Sequence, residues 1–253
     1  MPAPHTEAPS AVPEDLHDPN YGVRLTSWRS LDEHRTVVEA RHDGGDHPLL
    51  LVHAVRQAAL LTAHESYGVP RTHHCVFRSL TTTPDRRPLP PGGPLTVDLA
   101  CLEPDLRRGQ LLGATFRGEV RTAERTLGTA EVNFAFLSPA VHRFVRSSPR
   151  TPPEDPPPWP DARTREFRPA EDQLLFRGTR TDHIPGMTLA RELLDPAHTR
   201  QPDRLKQFTL TFTGWTTPDD PCVLQVRTSS AHRLDVRALQ SGRTVCEGAI
   251  ALT

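Results

Sequence analysis

The chain contains the same order of predicted secondary structure twice, and this internal repeat constrains the fold more than any local feature. In each half, a strand is followed by one helix and then by about four strands. The closing strand pairs are similar, RGEVRTAERTLGTAEV in the first half and RLDVRALQSGRTVCEG in the second, and both alternate polar and apolar residues around a polar turn. One helix with an antiparallel meander, repeated, predicts two units in which a sheet wraps around a central helix.

The individual elements follow from hydrophobic periodicity and from turn residues. For the first half, the predicted elements are a strand in HRTVVEARHD, a helix over about 47–66, and strands in HHCVFRSLTTT, PLTVDLACLE, LLGATFRGEVRT and TLGTAEVNFAFL. For the second half, they are a strand in QLLFRGTRT, a short helix in DHIPGMTLARELL, and strands in QFTLTFTGWTT, CVLQVRTSS, HRLDVRAL and TVCEGAIAL. Gly68 and Pro70 predict the end of the long helix.

Proline-rich segments divide the chain. Residues 1–20 are rich in proline, alanine and acidic residues and predict a disordered tail. The stretch SSPRTPPEDPPPWPDARTR predicts a semi-rigid linker over 147–165, because proline donates no backbone hydrogen bond and is excluded from helix interiors and central strands. The expected domains are therefore 21–146 and 166–253, both of ordinary domain size.

Composition excludes several classes of protein. The formal net charge of −1 gives no overall field that would attract nucleic acid or an anionic membrane. The chain has no apolar run of about 18 residues and no signal-peptide pattern at its start, so we expect no membrane segment and a cytoplasmic location. The four cysteines form no C-x-x-C pair, which argues against a zinc knuckle and a redox dithiol and favours free thiols.

The long helix carries three polar residues in an otherwise apolar run, LLLVHAVRQAALL. His53 lies three residues before Arg56 and four before Gln57, so helical spacing allows all three to face one side. A buried cation without a partner costs several kcal/mol, so Arg56 needs a carboxylate, carbonyl groups or a substrate anion. His53 is either a functional acid or base near pH 7 or a core histidine that bonds to a carbonyl.

The segments LLLVHAVRQAALLTAHESYGVP and DHIPGM together resemble the A-factor biosynthesis (AfsA-like) family of actinomycete gamma-butyrolactone and butenolide synthases. The resemblance implies an α+β tandem hot-dog fold. It also implies transfer of a beta-ketoacyl group from acyl carrier protein to the hydroxyl of dihydroxyacetone phosphate in secondary metabolism. The carrier, acyl carrier protein or coenzyme A thioester, stays open. Such a reaction needs a base, donors for an oxyanion and Arg for a phosphate group.

The resemblance also implies roles for particular residues of the first helix. The family helix usually has the pattern L-L-x-x-E-A-x-R-Q, in which Glu is the presumed acid/base. His53 occupies the Glu position in this chain, and Arg56 and Gln57 match the R-Q pair. We therefore expect His53 to act as the acid/base and Arg56 and Gln57 to bind and orient the substrate.

In the second half, Asp182 and His183 begin the D-H-x-P-G-M motif, and the next family Glu falls at Arg191, one residue before Glu192. The resemblance predicts that His183, with Asp182, assists at the thioester carbonyl and that Arg191 and Glu192 contact the substrate. For Asp182 the competing interpretation is a helix cap. Arg191 can equally be a solvated surface residue, and Glu192 is turned about 100° from position 191 on a helix.

Histidines at positions 42, 47, 73 and 74 raise the question of a metal site, but their spacing matches no zinc signature. We expect no metal. The sequence also lacks G-x-G-x-x-G, P-loop and G-x-S-x-G motifs, so no cofactor is predicted.

Three functions remain open on sequence alone. The first is the acyltransferase that the resemblance implies. The second is another hot-dog reaction on a carrier-bound acyl chain: dehydration, cyclisation or thioester cleavage. The third is a non-catalytic acyl-binding subunit. In each case we expect a two-domain monomer, with a homodimer as the alternative.

Overall fold

The computed structural model describes residues 9–13, 22–43, 49–85, 87, 92–147, 157, 159–176, 179–198 and 204–253. The chain divides into two compact units, Met1–His142 and Arg143–Thr253. Most of the predicted tail, 1–20, and most of the predicted linker, 147–165, lie outside the described residues, so the predicted domain limits stay predictions. Within the tail, residues 10 and 11 pair with the first long strand.

The first unit is an antiparallel sheet with one long helix. Its elements are β1 (Ser10–Ala11), β2 (Val23–Ser30), β3 (Arg35–His42), α1 (Leu49–Glu65), β4 (His74–Pro84), β5 (Gly93–Cys101), β6 (Asp105–Arg107), β7 (Gln110–Arg121) and β8 (Thr126–Leu137), followed by α2 (Pro139–Ser147), which contains the boundary between the units. The strands are ordered β1-β2-β3-β5-β7-β8-β4, with β6 paired to β7. The predicted helix and its following strands are confirmed, whereas β2, β6 and α2 were not predicted.

The core of this unit is formed by α1 and the concave face of the sheet. Strands β3 and β5 pair in register from Arg35↔Ala100 to His42↔Gly93. Alternate residues of these strands, such as Val38 and Val97, are buried and face the helix. α1 is apolar on nearly all sides because strands β2, β3, β4, β5, β7 and β8 contact it.

A glycine in β7 allows the close approach of α1. A Cβ atom added to Gly118 would lie 2.5 Å from Val55 Cγ2 of the helix and 3.2 Å from Val97 Cγ1 of β5. Both valines are fully buried and have no room to withdraw. The separation of helix and sheet therefore depends on the missing side chain at position 118.

The helix ends as the sequence predicted. Gly68 has a left-handed backbone, with φ of 63°, and Val69 N–H donates to Ala63 O over a distance of 3.0 Å. This bond joins residues six apart and closes a wide turn at the helix end, in which Gly68 reverses the chain. Val69 is itself buried, so the turn returns an apolar residue to the core.

The second unit repeats this plan with a shorter helix. Its elements are β9 (Arg163–Phe167), a 3₁₀ turn (Glu171–Leu174), β10 (Leu175–Phe176), β11 (Thr179–Arg180), α3 (Gly186–His198), β12 (Leu205–Phe212), β13 (Cys222–Ser230), β14 (Arg233–Gln240) and β15 (Arg243–Leu252). The strands of its sheet are ordered β12-β15-β14-β13-β9, and α3 packs on β12, β13 and β14. Each unit has its own antiparallel run of strands and its own helix, which confirms the predicted α+β tandem hot-dog fold.

Both closing hairpins are confirmed. β7 pairs with β8, and β14 pairs with β15 through a two-residue turn between Gln240 and Arg243. Ser241 and Gly242 both have positive φ, at 50° and 78°, which is the backbone of a type I′ turn.

One strand prediction was wrong. The segment QLLFRGTRT forms the end of a 3₁₀ turn and the short hairpin β10–β11, which is a separate two-stranded ladder. The strand that joins the sheet of this unit is β9, whose first residues, Arg163 to Arg165, lie in the predicted linker. β9 is an edge strand, so it needs a partner on one side only and tolerates the proline-rich sequence before it.

The end of the predicted linker also packs on the second unit. The guanidinium carbons of Arg227 and Arg237 each lie 4.1 Å from the ring centroid of Trp159. Arg237 is 4% exposed and donates to Gln225 Oε1 at 2.7 Å and to Pro157 O at 3.0 Å. Cation–π contacts and these bonds therefore hold residues 157 and 159 against strands β13 and β14.

Gly118→Ala should lower the free energy of unfolding by about 1–3 kcal/mol, because the new methyl group overpacks the helix–sheet contact. The double variant Gly118→Ala/Val55→Ala should lose less stability than the sum of the two single variants. Denaturant unfolding of the four proteins measures this coupling. Glu119→Ala, at the exposed neighbouring position, is the control and should stay within about 0.5 kcal/mol of wild type. Strict additivity would contradict the close-approach argument.

Candidate functional site

Helix α1 buries two of its three polar side chains completely. His53 is 2% exposed and Gln57 is 1% exposed. Gln57 Nε2 donates to Val23 O of β2 at 2.9 Å, so this amide ties the helix to the strand next to β1. His53 lies one turn earlier on the same helix face and therefore points toward the same side of the sheet.

Arg56 has a different environment from Gln57. It is only partly buried, and its charge acts on Cys75 of β4, whereas Gln57 bonds to β2. Adjacent helix positions are turned by about 100°, so these two side chains leave α1 in different directions.

The thiol of Cys75 responds to the charge of Arg56. The side chain is exposed to solvent, yet desolvation raises the pKa of its thiol to about 12, and the positive charge of Arg56 opposes this rise. Arg56 is partly buried, whereas Gln57 is buried.

His42, considered on sequence only as a metal ligand, belongs to the buried polar group. It is 3% exposed and ends β3, directly opposite Val23 of β2. Among the described residues, neither of its ring nitrogens has a hydrogen-bond partner. Burial lowers the pKa of His42, and the nearby charge of Asp43 raises it to a smaller extent. The alternation of Val38, Ala40 and His42 along β3 was the sequence signal that placed His42 on the helix side.

The second unit brings Asp182 and His183 together. Their side chains meet at 2.8 Å between Asp182 Oδ1 and His183 Nδ1, and Arg146 Nη2 donates to Asp182 Oδ2 at 2.9 Å. Trp215 lies beside both basic groups, 5.2 Å from the Arg146 guanidinium carbon and 6.3 Å from the His183 ring centroid. Arg146 and Trp215 were missed on sequence, because only the fold brings their separate segments to the D-H motif.

Asp182 is not the N-cap of α3. α3 begins at Gly186, and the first helical N–H groups, those of Thr188 and Leu189, donate to Pro185 O. Asp182 is therefore too far before the helix to occupy the N-cap position, and its carboxylate holds His183 and Arg146.

Arg191 and Glu192, the two remaining predicted residues, point in different directions on α3. Glu192 Oε2 accepts a hydrogen bond from Arg165 of β9 at 2.8 Å, which ties the helix to the edge strand. Arg191 is exposed. Their roles as substrate contacts stay predictions.

Of the four histidines considered for a metal, His47 lies outside the described residues, and His74 stacks on His142 with ring centroids 3.8 Å apart. The described part of the chain contains no group of three or more His, Cys, Asp or Glu side chains with the geometry to hold a metal ion. None of the described helices is long and apolar enough to cross a membrane.

The structure resembles solved structures of two acyl-ACP thioesterases and a MaoC-like dehydratase. The structure superimposes on an acyl-ACP thioesterase from Bacteroides thetaiotaomicron with a TM-score of 0.62 and 11% identity, covering 86% of this chain and 98% of the other. A 12:0-ACP thioesterase from Umbellularia californica gives a TM-score of 0.62 at 12% identity, covering 86% and 97%. A MaoC-like dehydratase from Phytophthora capsici gives 0.53 at 13% identity, covering 74% of each chain. At these identities the comparisons define the hot-dog fold and nothing finer.

Sequence comparison gives a finer similarity. Residues 18–138, just under half of the chain, match the family model of the A-factor biosynthesis hotdog domain. The 2-oxo-3-(phosphooxy)propyl 3-oxoalkanoate synthase of Streptomyces coelicolor is 32% identical over 174 residues, which are 59% of this chain and 54% of the relative. The chain thus spans about half the length of that curated relative.

Alkylation of Cys75 tests how desolvation and the charge of Arg56 act on this thiol. At pH 8 the thiol should react with iodoacetamide on the order of 50-fold more slowly than a free cysteine, because its raised pKa leaves little thiolate. Arg56→Met should slow the reaction further by removing the charge that lowers the pKa, whereas Arg56→Lys should not. Arg78→Met, at an exposed position of the same strand, is the control. Mass spectrometry follows the site, since Cys101, Cys222 and Cys246 are buried. A wild-type rate equal to that of free cysteine would contradict this account.

Proposed function

We propose that this protein is an acyltransferase that moves a beta-ketoacyl group from a carrier-bound thioester to the hydroxyl of a small phosphorylated acceptor of the dihydroxyacetone phosphate class. The observation that carries the proposal is the Asp182–His183 pair, supported by Arg146, in a chain whose residues 18–138 match the family model of the A-factor biosynthesis hotdog domain. The name of the Streptomyces relative describes a product of this kind, an ester of a 3-oxoalkanoate with a phosphorylated three-carbon ketone.

The reaction requires one proton to move twice. The acceptor hydroxyl gives its proton to a base as its oxygen forms a bond to the thioester carbonyl carbon. The carbon–sulfur bond of the tetrahedral intermediate then breaks, and the thiolate of the carrier takes the proton from the same base. The products are an oxygen ester and a free thiol, and no oxidant, reductant or metal is needed.

His183 has the geometry of that base. Because an ionised carboxylate only accepts hydrogen bonds, Asp182 Oδ1 holds the proton on His183 Nδ1 and leaves Nε2 as the acceptor. This is the tautomer in which histidine takes a proton from a hydroxyl, and a carboxylate at Nδ1 stabilises the imidazolium that forms. Arg146 bonds to both the carboxylate and the backbone oxygen of Asp182, so the carboxylate is itself fixed.

In the first unit, α1 matches the helix pattern of the family, with His53 at the position of Glu. Arg56 is the accessible cation of α1 and is assigned to a phosphate group, either of the acceptor or of the carrier's pantetheine arm. Gln57 serves mainly to position the helix through its bond to Val23. His53 keeps its assignment as an acid/base, and Arg191, exposed on α3, is assigned to contacts with the carrier.

Thioester hydrolysis is the second candidate. His183 is about one-third exposed and Asp182 more so, and a base open to solvent can activate water as well as an acceptor hydroxyl. A non-catalytic acyl-binding subunit is the third.

Incubation of the purified protein with 3-oxoacyl thioesters of acyl carrier protein and of coenzyme A, with and without dihydroxyacetone phosphate, separates the three. Ester formation that requires the acceptor supports the proposal. Free acid at equal rates in both samples supports hydrolysis, and saturable binding without turnover supports the third candidate.

His183→Ala should reduce the rate of ester formation by about 10²–10⁴-fold, because the general base is lost. Asp182→Asn should reduce it by a smaller factor, since the ring remains but its tautomer and charge are no longer fixed. His232→Ala, in an exposed turn of the same unit, is the matched control and should leave the rate unchanged. Initial rates at saturating substrate measure the effect, and circular dichroism verifies folding. Full activity in His183→Ala would remove this residue from the mechanism.

His53→Asn should also abolish turnover if the residue at the family's Glu position takes part in proton transfer. The Asn side chain is polar and smaller than His, so it limits the packing change at this buried position. Unchanged initial rates in a folded His53→Asn protein would show that His53 is a core residue.

A further inference from the structure

The main chain around His183 is held by hydroxyl groups of nearby threonines. His183 lies in the loop between β11 and α3. Thr181 Oγ1 lies 2.7 Å from His183 O and 2.8 Å from Leu174 O, and the N–H of Thr181 also donates to Leu174 O. These bonds hold the loop on the N-terminal side of His183, against the end of the 3₁₀ turn.

Thr216 holds the residue on the other side of His183. The N–H of Ile184 donates to Thr216 Oγ1 at 2.9 Å, and the same hydroxyl donates to Ile184 O at 3.2 Å. A hydroxyl offers one donor and two acceptor positions, so one side-chain oxygen serves both main-chain polar groups of Ile184. Thr216 and Ile184 are 4% and 2% exposed, so these main-chain groups depend on the hydroxyl and not on solvent.

The segment that carries Thr216 is itself bonded to the sheet of the second unit. Gln240, at the end of β14, accepts the N–H of Thr217 at 2.7 Å and donates through Nε2 to Thr217 O at 2.8 Å. On the other side of Thr216, the N–H of Gly214 donates to Val245 O of β15 at 3.1 Å. Two strands of the sheet therefore determine where the hydroxyl of Thr216 lies.

Trp215, the residue before Thr216, contacts the side chain of His183. Its ring is edge-on to the imidazole, with centroids 6.3 Å apart and planes at 86°, and the guanidinium carbon of Arg146 lies 5.2 Å from the indole centroid. Two consecutive residues thus contact the His183 ring and hold the main chain next to it. They give His183 a fixed position that the loop alone would not provide.

We infer that Thr216 is a positioning residue for the base: by fixing the main chain of Ile184, it keeps His183 Nδ1 in contact with Asp182 Oδ1. This inference rests on the proposed function for the role of His183. The two side chains belong to adjacent residues, so their 2.8 Å contact depends on the main-chain conformation of this loop. Thr216 is buried and acts through His183, and a displacement on the order of 1 Å at a reacting group can cost about 10²-fold in rate.

Thr216→Val replaces the hydroxyl with a methyl group and should lower kcat for ester formation by about 10-fold to 100-fold. KM should stay within about twofold, because no substrate contact is removed. Thr216→Ser keeps the hydroxyl and should regain most of the lost rate. A second measurement needs no substrate: the imidazole nitrogen shifts in NMR spectra at pH 8, assigned with His183→Ala, give the tautomer of His183. Wild type and Thr216→Ser should have the Nδ1–H tautomer, and Thr216→Val an increased share of Nε2–H.

Thr213→Val is the matched control, because the Thr213 hydroxyl also donates to a main-chain carbonyl, Thr244 O at 3.0 Å, at the other end of this segment. Its kcat and its His183 tautomer should equal those of wild type.

A wild-type kcat or a wild-type tautomer in folded Thr216→Val overturns the inference, as does a loss of rate that Thr216→Ser shares, and these results leave the proposed function intact. A wild type that makes no ester overturns the proposed function, whereas the tautomer comparison still decides whether Thr216 positions His183. Circular dichroism verifies folding, and Thr216→Ala, which adds no bulk, takes the place of Thr216→Val if the valine variant is unfolded.

Discussion

The burial of α1 in the concave face of the first sheet is the contact on which the rest of the first unit depends. The helix is surrounded by six strands, so its apolar run has no solvent side. The missing side chain of Gly118 sets how closely the helix approaches β7. Each polar side chain of the helix must therefore find a hydrogen-bond partner inside the sheet or reach solvent at the edge of the sheet. The few polar side chains of α1 consequently report where a substrate could meet the protein.

The polar side chains of α1 lie in two different environments. Gln57 bonds to a backbone carbonyl of β2, and His53 lies behind it on the same face, so this side is buried and anchored. Arg56 faces the side on which Cys75 is accessible. In an acyl-transfer reaction the buried environment of Gln57 suits an uncharged part of the substrate. The environment of Arg56 suits a phosphate, since an anion there keeps partial contact with water while it binds a cation.

The second unit retains the architecture with a shorter helix, and its candidate chemistry lies before that helix. Arg146 of α2 forms a connected set with Asp182 and His183, which precede α3, and Trp215 lies beside them. Glu192, the acidic residue nearest to the family's Glu position, is engaged by Arg165. The base proposed for catalysis therefore comes from the D-H motif, where a carboxylate fixes the histidine tautomer.

The sequence by itself determined the repeated architecture, the long helix with its Gly68 end, both closing hairpins and the D-H pair. These follow from local periodicity, turn chemistry and adjacency along the chain, which act over a few residues. It did not determine that Gln57 bonds to Val23 of β2, that His42 is buried, or that Arg146 supports Asp182. Nor did it show β9, because an edge strand is selected by its partner β13 and carries little pattern of its own. Only the tertiary structure decided these points, since each depends on which distant strand or helix faces a side chain, and no local pattern encodes that distance.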